Sequence, residues 1–107
     1  MGFKNTGYPV TGSMATAYTC PANTVAIVKS LLVANVDGTN TAWFSWQWHD
    51  DSGGTDHKGA YQIDVPANQA IDFISSIVVL EAGDYIQCQA EAVSDLEATF
   101  AILEQEA

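Results

Sequence analysis

Basic side chains are scarce in this chain: three Lys and Arg residues stand against 13 Asp and Glu, for a formal net charge of −10 over 107 residues. So few cations cannot supply the phosphate contacts on which sequence-independent nucleic-acid binding rests, and anionic lipid repels such a surface. No apolar run reaches the length of a signal-peptide core or a membrane span. The expectation is therefore a protein made in a cytosol, with neither nucleic acid nor membrane as a partner. The opening MGFKNT fits the N-myristoylation pattern formally, which we read as chance because no second membrane signal accompanies it. Cysteine is limited to Cys20 and Cys88, far apart and without metal-ligand spacing. Free thiols are the default in a reducing compartment, with a disulfide between the two left open by the count.

Chemistry-bearing motifs are missing as well. There is no glycine-rich phosphate loop, and no nucleophile, base and orienting group can be assembled. Glu81 and Asp84 share one turn, and Glu97, Glu104 and Glu106 are spread along a segment that reads as exposed, so all five read as solvated carboxylates. Neither an enzyme nor a cofactor is expected. The stretch from His49 to His57 gathers two histidines and three aspartates, but its order fits neither an EF-hand nor a short-spaced zinc site. It reads as a solvated connection, the alternative being a weak cation site at Asp50, Asp51 and Asp56. A chain of this length forms one domain, with too little interior for a large cleft.

What the chain does have is β-periodicity. The heaviest stretch, TAWFSWQWH from Thr41 to His49, places Ala42, Phe44, Trp46 and Trp48 on one face and Trp43, Ser45, Gln47 and His49 on the other. Large aromatics repeated on one side must be buried, which makes this the central core strand with Phe44, Trp46 and Trp48 inside. Thr24 to Asn35 is a second strand, with Val25, Ile27 and Leu31 on one face and Val28 and Leu32 on the other. Asp37-Gly38 between these two runs predicts an antiparallel hairpin. The ten residues from Asp50 to Gly59 read as a polar loop, and alternation returns at 60–65.

Short β-type runs follow at 70–73 and 76–80, and Tyr85 to Glu91 alternates with Ile86, Cys88 and Ala90 facing inward. The last run, LEATFAIL, turns Leu96, Ala98, Phe100 and Ile102 inward as a strand. Its composition also suits a helix, and the strand is preferred because the preceding runs need a final partner. Pro-Ala-Asn recurs at 21–23 and 66–68, each time after a short strand, which suggests equivalent corners in two sheets. Residues 1–13 show little pattern and read as an extended N-terminal arm rather than packed structure. The fold class is thus all-β: one antiparallel β-sandwich, jelly-roll or immunoglobulin-like, over residues 14–107, with about eight short strands.

The run TCPANTVAIVKSLLVANVDG, the aromatic strand, DVPANQ and the closing VVLEAGDYIQCQAEAVSDLEATFAILE together resemble a group of small virion structural proteins of tailed bacteriophages. The matching segments cover residues 17–104, and the shared positions are structural corners: Pro21, Asn23, Gly38, Pro66, Gly83 and Asp84. The resemblance implies a non-enzymatic virion component, a capsid decoration (cement) protein or a neck or tail accessory subunit. Its partners would be the major capsid protein or neck and tail subunits, and further copies of itself in a homo-oligomer. Candidate interface residues are Phe3, Tyr8 and Pro9 in the arm and the ring-bearing Trp43, Tyr61 and Tyr85. Those last three also permit a second reading, a carbohydrate-binding module for host attachment.

Overall fold

Runs rich in Val, Ile and aromatic residues, separated by Gly, Asn, Asp and Pro, give nine β-strands and no helix among the described residues, 2–107, of the computed structural model. They are β1 (Gly2–Pro9), β2 (Ala15–Thr19), β3 (Thr24–Asn35), β4 (Ala42–Asp50), β5 (Thr55–Val65), β6 (Ala70–Asp72), β7 (Val78–Leu80), β8 (Tyr85–Ala90) and β9 (Leu96–Glu106). One sheet runs β1-β9-β3-β6, with β7 on the same side of β3 as β6; the other runs β2-β8-β4-β5. Every pairing is antiparallel. The two sheets pack face to face as the expected β-sandwich, and the closing segment is a strand with Leu96, Ala98, Phe100 and Ile102 all buried.

The core follows from alternation on β8, β9 and most of β4. Phe44 and Phe100 are its largest fully buried side chains, and Phe44 packs against Phe73 with ring centroids 4.9 Å apart. Trp46 is buried with them, but Trp48, expected as a third core ring, is only partly covered. It lies near the β4–β5 turn, where the core thins out and the His57 ring stacks on it at 4.8 Å.

Four further expectations change. The hairpin between 24–35 and 41–49 does not form: β3 and β4 lie in different sheets. Strand β3 has β9 on one edge and β6 and β7 on the other, so no edge remains for β4. The intervening segment folds on itself, the Asp37 carboxylate accepting the N–H groups of Thr39 and Asn40. The buried Asn35 amide anchors the crossing by donating to the carbonyls of Asn40 and Val65.

Within β3 the faces also differ from a strict two-residue period. The register against β9 shifts between Val28 and Ser30, and this bulge swaps the sides. Ala26 and Val28 before it and Leu31 and Val33 after it are all inward, whereas Ile27 and Leu32 are outward.

The polar stretch 50–59 is mostly strand. Asp50 ends β4, a tight turn carries the Gly54 N–H back to the Asp50 carbonyl at 2.8 Å, and β5 starts at Thr55. Composition misled here because an edge strand with both faces wet needs no apolar alternation.

The stretch expected as an arm is extended but not loose. Met1 lies outside the described residues; Gly2–Pro9 pair with β9 through eight consecutive residue pairs, and Val10 is buried in the core. The two Pro-Ala-Asn segments are indeed equivalent corners: Asn23 and Asn68 both take left-handed backbone, at φ 58° and 63°. Asparagine tolerates that region better than most residues.

Candidate interface surfaces

The outward side chains of the five-stranded sheet form an apolar ladder. Phe3 on β1 stands beside Leu103 on β9, Leu103 beside Ile27 on β3, and Ile27 beside Val79 on β7. One row of large apolar side chains thus crosses four strands, roughly 14 Å at the usual strand spacing. Phe3 is 73% exposed and Val79 51%, and Leu32 adds a further exposed apolar group on the same face. Of the 13 acidic residues only Glu97 and Asp72 occupy outward positions of these strands, and the Asp72 carboxylate accepts the N–H groups of Leu31 and Ile74. The Lys29 ammonium sits 5.5 Å from the centre of the Phe3 ring. A groove beside this pair is lined by Phe3, Lys4, Asn5, Lys29, Ala101 and Ile102.

The opposite outer face, on the four-stranded sheet, is polar and knitted together. Gln47 donates its amide to Gln87 at 2.7 Å, and the Ser45 hydroxyl accepts the N–H of Gln62, a residue at φ 50° in the irregular part of β5. Near the β4–β5 turn the His49 ring stacks on Tyr85 at 4.5 Å and pairs through Nδ1 with Asp56 at 2.6 Å.

The six candidate residues do not share one surface. Phe3, Tyr8 and Pro9 share β1, but Tyr8 turns inward and packs on the core while Phe3 and Pro9 are exposed. Tyr61 is 62% exposed on edge strand β5, with Lys58 over its ring at 5.6 Å. Trp43 and Tyr85 lie on one face but at opposite ends. Tyr85 pairs with His49, six residues along β4 from Trp43, about 20 Å away at the strand rise. The three rings that suggested a sugar platform do not form one. Leu103, Ile27 and Val79, which complete the ladder, escaped sequence reading. The available signal was that both faces of β3 are apolar, although only one can face a two-layer core.

A network of polar groups closes the sandwich at β1 and β2. The Tyr18 hydroxyl, on β2, donates to the Glu104 carboxylate, on β9 of the other sheet, at 2.5 Å, and Lys4 of β1 reaches the same oxygen at 3.3 Å. Tyr18 holds the Glu104 carboxyl below its ordinary range, with Lys4 adding to the effect, and burial pushes the Tyr18 hydroxyl up. A second such corner surrounds Asp84, which the sequence placed on the surface. Its side chain is buried, and its two oxygens accept the N–H groups of Asp51 and Glu81, each at 2.9 Å. One carboxylate thereby ties the β4–β5 turn to the β7–β8 turn. Gly83 beside it has φ 91°, and a Cβ there would lie 2.7 Å from the Asp51 carboxylate, so the Gly-Asp pair is fixed by geometry.

Cys20 and Cys88 are both free and buried; burial raises both thiols, Cys88 to about 12. Among the described residues no three His, Cys, Asp or Glu side chains are arranged to hold a metal. The Asp50 carboxylate is engaged by Ser52 and Gly53, and Asp56 by His49.

No protein-family model matches the chain, and no curated protein matches its sequence. Similar folds exist among solved structures. A subunit of Bacillus endospore appendages, described as a novel family of disulfide-linked pili, superimposes with a TM-score of 0.52 at 12% identity, over 97% of this chain and 84% of that one. A pentameric capsid protein isolated from metagenomic phage sequences gives a TM-score of 0.45 at 18% identity. The match covers 94% of this chain but only 60% of that protein. At 12% identity the likeness to the pilus subunit is one of fold.

Proposed function

We propose that this chain is a non-enzymatic structural subunit of a bacteriophage virion, made in the host cytoplasm and added to the capsid as a decoration (cement) protein. The observation that carries the reading is the ladder Phe3–Leu103–Ile27–Val79. It is a broad apolar strip nearly free of carboxylates, on a chain whose net charge of −10 keeps it soluble and disfavours contact elsewhere. Such a strip gains free energy when another protein surface covers it. The resemblance of residues 17–104 to small phage virion proteins supplies the setting.

The test is occupancy of particles. Ile27→Glu and Leu103→Glu place carboxylates in the middle of the strip without touching the core, and both should reduce bound copies at least tenfold, about 1.4 kcal/mol. Full occupancy by folded Ile27→Glu and Leu103→Glu chains would overturn the role of the strip. Density at a single vertex, rather than over the shell, would replace decoration by the neck or tail accessory role. Tryptophan fluorescence that responds to host glycans would favour the attachment module instead.

A further inference from the structure

The free edge of β1 is unlike the other edges of the sandwich. Strand β5 is interrupted by two register shifts and carries Gln62 at φ 50°, β2 is short and bulged, and β6 and β7 are three residues each. These are the usual ways in which a protein prevents its edges from pairing. Strand β1 has eight residues in unbroken register with β9, no bulge and no carboxylate; its Pro9, which offers no N–H, stands only at the end of the strand, and its Lys4 is drawn to Glu104.

Its outward side chains carry a pattern that one chain leaves largely uncovered. Phe3, Asn5 and Gly7 follow one another on the outer face: a 73%-exposed ring, an exposed amide and a glycine. Gly7 has no backbone requirement, for its φ is not positive and a Cβ there would meet nothing within 4 Å. A strand glycine weakens the strand and commonly marks the close approach of another backbone.

We propose that β1 pairs antiparallel with β1 of a second copy about a twofold axis at Asn5, joining the two five-stranded sheets into one. A twofold perpendicular to the sheet keeps outward residues opposite outward residues. Centred on Asn5, it sets Phe3 of each copy opposite Gly7 of the other, so each exposed ring covers the bare glycine, while the two Asn5 amides meet across the axis. Aromatic–glycine pairs of this kind are an established way to stabilise glycine in strands. Charge does not oppose this contact: two chains of net charge −10 repel over most of their surface, whereas β1 carries no carboxylate and its Lys4 is already paired with Glu104. The inference rests on the virion reading only in its consequence, that a dimer presents two apolar ladders on one continuous face. The pairing itself stands apart from that reading.

Cross-linking tests the register. Residues directly opposite in an antiparallel pair bring their Cβ atoms to about 4.5–5.5 Å, close enough for a disulfide after slight adjustment. The native thiols are buried and stay out of the way. Oxidised Asn5→Cys protein should run on a non-reducing gel at twice the 11.4 kDa chain mass, and Ser52→Cys, at the exposed β4–β5 turn, should not. Adding Phe3→Lys or Gly7→Lys to Asn5→Cys should cut the cross-linked yield at least tenfold, with circular dichroism confirming the fold. Native mass spectrometry of the unaltered chain should show the dimer. A monomer at the highest soluble concentration, or cross-linking indifferent to Phe3→Lys, would overturn the pairing. Asn5→Cys that cross-links only to a shell protein on particles would also overturn it, in favour of an added shell-protein strand. Particle occupancy separates the two ideas. Dimers that never bind particles refute the virion role alone, and particle-bound monomers refute the β1 pairing alone.

Discussion

The indole of Trp46 lies against the backbone of Gly59 on the neighbouring strand, so close that a Cβ at position 59 would fall 2.1 Å from two of its ring atoms. The glycine therefore belongs to the packing of the ring. Gly59→Ala should force Trp46 off its position and cost about 3 kcal/mol, at the upper end of overpacking penalties. Urea unfolding followed by tryptophan fluorescence would measure it, and an unchanged midpoint would contradict the contact.

Asp84 gives the second prediction. Asp84→Ala leaves the N–H groups of Asp51 and Glu81 without their acceptor and should cost about 3 kcal/mol. Asp84→Asn keeps one acceptor oxygen and should cost less. Thermal unfolding of the two variants side by side reads the difference.

Much of the sandwich was legible in the sequence because β8, β9 and the inner half of β4 alternate without interruption. Burial of Ile86, Cys88, Ala90, Leu96, Ala98, Phe100 and Ile102 follows from period alone. The bulge after Val28 was not legible: one extra residue leaves the composition of β3 unchanged yet reverses its faces. Nor was the separation of β3 from β4, since Asp-Gly marks a turn without saying which sheet the chain enters next. Of the candidate site, Phe3 was named because it lies in the stretch read as an arm. Ile27, Leu103 and Val79 were not, because an apolar residue on a strand reads as core until the topology shows which side is wet.

The Tyr18–Glu104 pair gives stability an acid limb. The folded chain holds the Glu104 proton less tightly than the unfolded chain does, because the carboxylate accepts the Tyr18 hydrogen bond and lies beside Lys4. That contribution is present above the unfolded value of about 4.3 and is lost as pH falls through the lower folded value. Tyr18→Phe should cost about 1 kcal/mol at neutral pH and move the acid-unfolding midpoint upward. An unchanged midpoint in an acid titration followed by circular dichroism would argue against the pair.

Cys88 gives an alkaline limb. Burial raises its folded pKa to about 12. Its contribution is therefore complete below the unfolded value of about 8.5 and is lost as pH rises toward the folded one. Cys88→Ala should flatten the fall in stability between those values. In the native protein both thiols should resist a thiol reagent at pH 8 and react only after denaturant is added, and prompt labelling would contradict their burial.

The pairing of β3 with β9 also governs how the chain reaches this structure. Its partners, from Thr24 with Glu106 to Asn35 with Leu96, lie more than half the chain apart. The central pair of the five-stranded sheet must therefore close a very long loop before any of its hydrogen bonds is gained. No hairpin joins these strands to guide the search, so refolding should fall in the slow range of non-local β-proteins, about milliseconds to seconds. Until β9 arrives, the Val- and Leu-rich β3 has one edge open, and in that interval its neighbours in solution compete with its own chain.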